Sequence, residues 1–301
     1  MSDRSDEPRF EFGENWKAFL ETVDQDRVAA AAESLDRLLS SESLVGKTFL
    51  DVGCGSGLVS LAAFLAGASV TSFDFDPASV ACTREIQRRF APAATRAIDG
   101  PSEISDSDRT SDFGRACVRG AAAWQILAGS ALDAGWLESL GSFDIVYSWG
   151  VLHHTGQLAR GIELTCQRVA VGGLLVLAVY HDQGAASRRW AMIKRTYHRL
   201  PGRLRPLWVA AIAAAYETKF ALARIAAKQN PLPFRDWRSK RADRGMSVWH
   251  DWVDWVGGWP FEVASPDAII NPLAEAGFSL RRIKTVGNGW GCNEYVFRRD
   301  Q

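Results

Sequence analysis

Asp51 stands two residues before the first of three glycines at alternate positions, Gly53, Gly55 and Gly57, with Cys54 inside the run. Glycine accepts positive φ and carries no Cβ, so a ligand can lie against such a backbone. The acid in front suits a ligand that carries positive charge better than one that carries a pyrophosphate. The spacing is not the dinucleotide pattern G-x-G-x-x-G, whose third glycine comes one residue later. Asp74 follows in Asp74-Phe75-Asp76-Pro77. An acid at the end of a second strand accepts both hydroxyls of a ribose, and Phe75 is placed to lie against an adenine. Two polar groups come later, His153-His154 and Tyr180-His181-Asp182. A histidine titrates near neutral pH and can take a proton from a hydroxyl.

The elements that must position these residues follow from the apolar pattern. Residues 48–52 read as a buried strand, and a helix starts at Leu58 with Leu61, Phe64 and Leu65 on one face. A second strand covers 68–73. Asp76 is a good N-cap with Pro77 in the first helical position, so a helix begins there. Residues 98–112 are rich in Ser, Asp and Gly and read as a mobile insertion. Strands return at 124–128 and 143–148, and a helix covers 157–169. Gly172-Gly173 then turn into a fifth strand, 174–180. A helix over 265–276 and strands over 280–286 and 293–298 close the chain. Hydrophobic strands alternating with helices predict a doubly wound parallel sheet. Ligands of such sheets sit at the carboxyl ends of the strands, which selects Asp51, Asp74, Ser130, residues 149–154 and 180–182.

The run Asp-x-Gly-x-Gly-x-Gly resembles the first motif of the class I S-adenosylmethionine (SAM) methyltransferases. Phe143-Asp144-Ile145-Val146 running into Leu152-His153-His154 is similar to the pattern of their small-molecule branch. The resemblance covers about 45–180 and 264–299. It implies a Rossmann-like sheet of seven strands, mostly parallel with one antiparallel strand. It implies SAM as cofactor, S-adenosylhomocysteine as product, and no metal. Asp51 would hold the amino-acid end and Asp74 the ribose, Phe75, Ser130 and Ala131 would meet the adenine, and Gly53, Cys54, Gly55, Gly57 and Trp149 are further cofactor-binding candidates. Ser130 stands where many members have an acid. An aromatic segment before the first strand, with Phe12 and Trp16, would lid the cofactor or merely pack its helix.

A methyl on a sulfonium is already electrophilic, so the enzyme supplies orientation, a dry site and sometimes a base. His154 is the leading candidate base, with His153, Tyr180 and His181 beside it. No Asp/Asn-Pro-Pro-Tyr/Phe and no Pro-Cys follows the fourth strand, so DNA amines and cytosine C5 are not expected acceptors. O-methylation of a small molecule leads, with N- or C-methylation open. A SAM-binding protein that transfers no methyl is the rival reading.

The expected organisation is a cap region at 1–44, a SAM-binding core at 45–180, a helical insertion at 181–262 and a closing helix and strand pair at 263–301. Two helices in the insertion, about 185–200 and 204–228, carry ten Lys and Arg against one acid, Glu217. Trp237, Trp249, His250, Asp251, Trp252, Trp255 and Trp259 follow. A lid over an apolar or sugar-like acceptor is one reading of this segment. Weak contact with a membrane surface through 185–228, or docking of an acidic lipid- or carrier-linked acceptor, is the other.

Over the 301 residues, Lys plus Arg equals Asp plus Glu at 35 each, so overall charge gives no support to nucleic-acid binding. The five cysteines are scattered without a C-x-x-C pair, as suits reduced thiols and no zinc. The polar start, residues 1–9, is unlike a signal peptide. A cytoplasmic protein is expected.

Overall fold

The computed structural model describes residues 20–21, 23–40, 42–91, 122–232, 248–287, 289 and 291–301. Along the chain come α1 (Gln25–Leu38), β1 (Thr48–Val52), α2 (Leu58–Leu65), β2 (Ser69–Asp74), α3 (Pro77–Phe90), β3 (Trp124–Ala128) and α4 (Ala134–Ser139). Then follow β4 (Phe143–Trp149), a 3-10 turn (Leu152–His154), α5 (Leu158–Cys166), β5 (Val169–Tyr180), α6 (Ala185–Arg199) and α7 (Arg205–Ala226). The last are α8 (Val248–Gly257), α9 (Pro266–Glu275), β6 (Phe278–Lys284) and β7 (Cys292–Arg299). The expected insertion at 98–112, with Phe12 and Trp16, lies outside the described residues.

The chain forms two compact units, one of residues 23–182 and 262–301, the other of 1–22 and 183–261. The larger holds a seven-stranded sheet in the order β3-β2-β1-β4-β5-β7-β6. β1 to β5 are parallel neighbours, and β7 runs antiparallel to both β5 and β6. This is the Rossmann-like methyltransferase sheet that the sequence predicts. β1, β2, β4 and the later part of β5 are buried on both faces, which is why they read as continuous apolar runs, whereas β6 at the edge is largely exposed. Leu50, Val52, Phe73, Val146, Leu175, Leu177 and Phe297 form its centre.

β5 begins earlier than expected. Phe143 pairs with Val169, yet Ile145 pairs with Leu174, so extra residues bulge out of β5. Gly172 sits at φ 81, and a Cβ on Gly173 would lie 2.7 Å from the Asp144 carbonyl oxygen. The glycine pair permits the bulge, and it shortens the preceding helix to 158–166.

The smaller unit, in its described part, is helical. Trp190 on α6 stacks on Tyr216 of α7 (centroids 4.8 Å) and meets Trp255 of α8 edge-on (5.4 Å). Trp208 donates its indole N–H to the Ile193 carbonyl at 3.2 Å. One member of the basic set departs from expectation. Lys194 has no solvent exposure. It donates to the Trp255 carbonyl, and its Nζ lies over the rings of Trp255 and Phe261 at 5.1 and 5.0 Å. Burial drives its pKa down to about 7, opposed by the charge of Asp254. One turn on, His198 meets the Gly257 carbonyl at 2.6 Å. The two side chains of α6 thus reach carbonyls at the C-terminal end of α8, where helices leave acceptors open.

Candidate active site

The carboxyl edge of the parallel strands brings the candidate residues into one row. β1 presents Asp51, β2 Asp74, β3 the Gly129-Ser130 turn, β4 Trp149 and β5 Tyr180. The glycine turn after β1 is tightly specified. Gly53 has φ 77, and a Cβ there would fall 2.3 Å from Val151 Cγ1. Gly57 caps α2 at φ 80, and its Cβ would meet Thr83 at 2.7 Å. The N–H groups of Gly53 and Cys54 both donate to the Phe73 carbonyl, at 2.9 and 3.0 Å. Thr83, which the sequence reading did not single out, braces the turn from α3 by donating to Gly55 O or Cys54 Sγ, each at 3.2 Å.

Asp74 accepts the Gly55 N–H at 3.0 Å on one oxygen and the Asp76 N–H at 2.9 Å on the other. The Phe75 N–H is a third backbone donor to this carboxylate, whose two oxygens together offer about four acceptor directions. Burial pushes its pKa up, and the backbone N–H groups oppose that rise. Asp51 is buried. Its Oδ2 accepts from Ser60 Oγ at 2.5 Å, Ser60 Oγ meets Ser72 Oγ at 2.7 Å, and Ser72 Oγ accepts from Trp124 Nε1 at 2.8 Å. With Asp51 ionised, every donor in this chain points toward the carboxylate. Burial lifts the Asp51 pKa to about 7; the Ser60 bond opposes the rise and the charge of Asp74 adds to it. Its charge also helps hold Tyr147 and Cys54 neutral, behind burial in each case.

On the third strand's side, a Cβ on Gly129 would fall 2.1 Å from the Trp136 ring, so glycine lets that indole lie across the turn. Trp136 meets Phe73 edge-on at 4.9 Å. Ser130 Oγ accepts the Leu132 N–H at 3.2 Å, and Ala131 is buried. Phe75 and Trp149 are exposed.

At the ends of β4 and β5, three rings cluster. His153 and Tyr180 lie 3.8 Å apart, His153 and His154 4.4 Å, and His154 and Tyr180 5.5 Å edge-on. His153 is completely buried, with Nδ1 facing the Tyr180 N–H at 3.4 Å. His154 is only half-buried. His181 Nδ1 faces Asn293 Nδ2 at 3.1 Å, and the Asn293 Oδ1 accepts the Val286 N–H. Asp144, part of the same motif, stands at the opposite end of β4. It accepts from the Thr48 N–H and Oγ1 at 2.9 and 3.0 Å and pins the start of β1. His250 and Asp251 lie on α8, with side chains outside the described residues, as is all of Trp237.

The arrangement suits a cofactor with an ammonium, a sulfonium and a ribose. Among the described residues, the one charge that acts appreciably on Asp51 is another carboxylate, so a cationic ligand end would supply the missing countercharge. No group of His, Cys, Asp and Glu among the described residues could hold a metal.

Known proteins resemble this chain in sequence and fold. Residues 23–280 match the family described as a methyltransferase domain. A ribosomal protein L11 methyltransferase of Teredinibacter turnerae is 38% identical over 71 residues, 23% of this chain and 24% of the relative. That of Escherichia coli is 30% identical over 133 residues, 44% of this chain and 41% of the relative. These stretches span less than half of the curated relatives. Among solved structures, an O-methyltransferase family protein from Burkholderia thailandensis superposes with a TM-score of 0.50 at 12% identity. That match covers 95% of this chain and 60% of the other, a likeness of fold. With most of its length matched to the family and its acids and glycines set along the edge of the family's sheet, the chain belongs to the methyltransferase-domain family.

Proposed function

We propose that this enzyme methylates a hydroxyl of a small molecule and that His154 is the base. The observation that carries the reading is the ring cluster of His153, His154 and Tyr180 at the joined ends of β4 and β5. His153 is locked inside it, whereas His154 keeps part of its ring open. Bound SAM supplies an electrophilic methyl group. The chain's own residues then do six things. Asp51 holds the ammonium end, Asp74 accepts from the ribose hydroxyls, and Ser130, Ala131, Phe75 and Trp149 line the adenine side. Gly53, Cys54, Gly55 and Gly57 let the ligand approach the backbone. His154 takes the acceptor's proton, and Tyr180 with His181 helps position the acceptor. A nitrogen acceptor that is already neutral needs no such base and is the alternative.

The test is turnover with SAM and a panel of small hydroxyl and amine acceptors, read as S-adenosylhomocysteine formed. His154→Ala should keep SAM affinity and lose about 10²–10⁴-fold in rate on a hydroxyl acceptor. Turnover within a fewfold of wild type would remove His154 from the chemistry and favour orientation alone.

A further inference from the structure

The second helix of the smaller unit carries a face that the methyl-transfer chemistry does not use. Helix α7 runs 22 residues, about 33 Å at 1.5 Å per residue. Val209 and Tyr216 are its buried residues. On the opposite side Leu207, Leu222 and Ile225 are 67, 61 and 57% exposed. Exposed Ala210, Ala211 and Ala214 join them along the same side. With the alanines between them, these side chains make one apolar strip along the helix, and a contiguous exposed apolar strip marks a surface that meets something apolar.

The charge around this face is one-sided. Residues 185–228 hold ten Lys and Arg and one acid, Glu217. Of the ten, Lys194 is buried and belongs to the packing of α8. At 100° per residue, Lys219 stands about 120° from the Leu207–Ile225 line on one side, and Arg224 about 100° and Glu217 about 80° on the other. Lys219 Nζ lies 5.9 Å from the Tyr216 ring centre, and Arg224 donates to the Pro231 carbonyl at 3.2 Å. Long basic side chains so placed can lie along apolar surface and keep their charged ends level with its rim. Arg203 and Lys228 lie just beyond the two ends of the helix.

We infer that α7 docks the protein, in plane, on an anionic lipid surface, with Leu207, Leu222 and Ile225 entering the headgroup boundary and Lys219 and Arg224 meeting lipid phosphates. An interfacial helix with an apolar face and flanking bases has this form. The helix does not span: no helix among the described residues is long and apolar enough to cross a membrane. A second copy of the chain fits less well, because a two-fold contact would bring the same basic rims together with only Glu217 to oppose them. The inference is independent of which acceptor is methylated and of the role of His154.

Flotation of the full chain with vesicles tests it. Vesicles of phosphatidylglycerol and phosphatidylcholine should carry the protein at low salt, and phosphatidylcholine alone should not. Raising the salt should weaken binding, since charge at the surface acts within about 8 Å at physiological ionic strength. Lys219→Gln should cut partition about fivefold. The double variant Leu222→Glu with Ile225→Glu should abolish it while SAM affinity stays at the wild-type value. Absence of flotation at low salt, equal binding to neutral vesicles, or binding that survives both variants would each overturn the inference. So would a dimer in gel filtration that Leu222→Glu disperses, because the face would then belong to a second copy.

Discussion

Ser60 on α2 and Asp51 at the end of β1 are joined by a buried hydrogen bond, and Ser60 is also the last link of a donor chain that starts at Trp124 on β3. The chain favours the ionised form and so opposes burial, which still lifts the pKa of this acid to about 7. If Asp51 meets the cofactor's ammonium, SAM should bind more tightly as pH rises through 7. Ser60→Ala removes the bond that opposes burial. Hydrogen bonds to charged groups contribute about 1.5–3 kcal/mol, so the midpoint of that rise should move up by about 1–2 pH units. Calorimetry at pH 6 to 9 reads it. A loss of affinity that is equal at every pH would show that Ser60 shapes the turn without tuning the acid.

The same acid should make the ligand-free protein less stable in alkali. Its pKa is raised from 3.8 to about 7, so the folded state binds more protons between those values. Its contribution is therefore full below about pH 4 and is lost as pH rises through 7. Asp51→Asn should melt higher than wild type at pH 8, by no more than the ~4 kcal/mol that three pH units represent, with the gap closing toward pH 4. SAM should favour the wild type. Thermal melts with and without SAM at both pH values decide it, and an Asn variant that is less stable at pH 8 would refute the account.

Asp74 has two duties that different substitutions separate. It fastens the glycine turn through the Gly55 N–H and offers charge to the ribose. Asp74→Asn keeps one acceptor for the Gly55 and Asp76 N–H groups, loses the other and loses the charge. SAM affinity should fall about tenfold, with a smaller loss of stability than in Asp74→Ala. Asp74→Ala should lose both affinity and about 1–3 kcal/mol of stability, because the backbone donors lose their acceptor. Unchanged SAM affinity in a folded Asp74→Asn protein would exclude the ribose role.

Lys194 sets the opposite pH trend in the helical unit. Its pKa falls from 10.5 to about 7, so the unfolded chain binds more protons between those values. The stability slope from this group is therefore positive over that window. Lys194→Met should flatten the rise in urea midpoint between pH 7 and 10, while the wild type gains stability there. Equal slopes in the two proteins would show that the amine is solvated.

The placement of Asp51, the glycine turn and Asp74 at strand ends was legible because its signals are local. Three glycines, an acid two residues earlier and an N-cap Asp76 followed by Pro77 sit within short stretches, and the alternation of strands and helices fixes which ends they occupy. The Ser60–Ser72–Trp124 chain was not legible. Its members are 12 and 52 residues apart and meet only through sheet register, with Ser72 opposite Asp51. Asp144 shows the same limit from the other side, since a motif in sequence does not say which end of a strand an acid serves. Lys194 reads as one more base on a basic helix until Trp255, 61 residues later, covers it. The bulge in β5 was signalled by Gly172-Gly173, yet read as a turn because glycine pairs serve both.

The excursion through residues 183–261 leaves and rejoins the sheet at neighbouring points. The Asp182 N–H donates to the Ala264 carbonyl, the Ala264 N–H donates to the Tyr180 carbonyl, and the Glu262 N–H donates to the His153 carbonyl. Both seams are thus stitched to the strand ends. A change of length or sequence between the seams therefore leaves the glycine turn, the two acids and the strand register where they are.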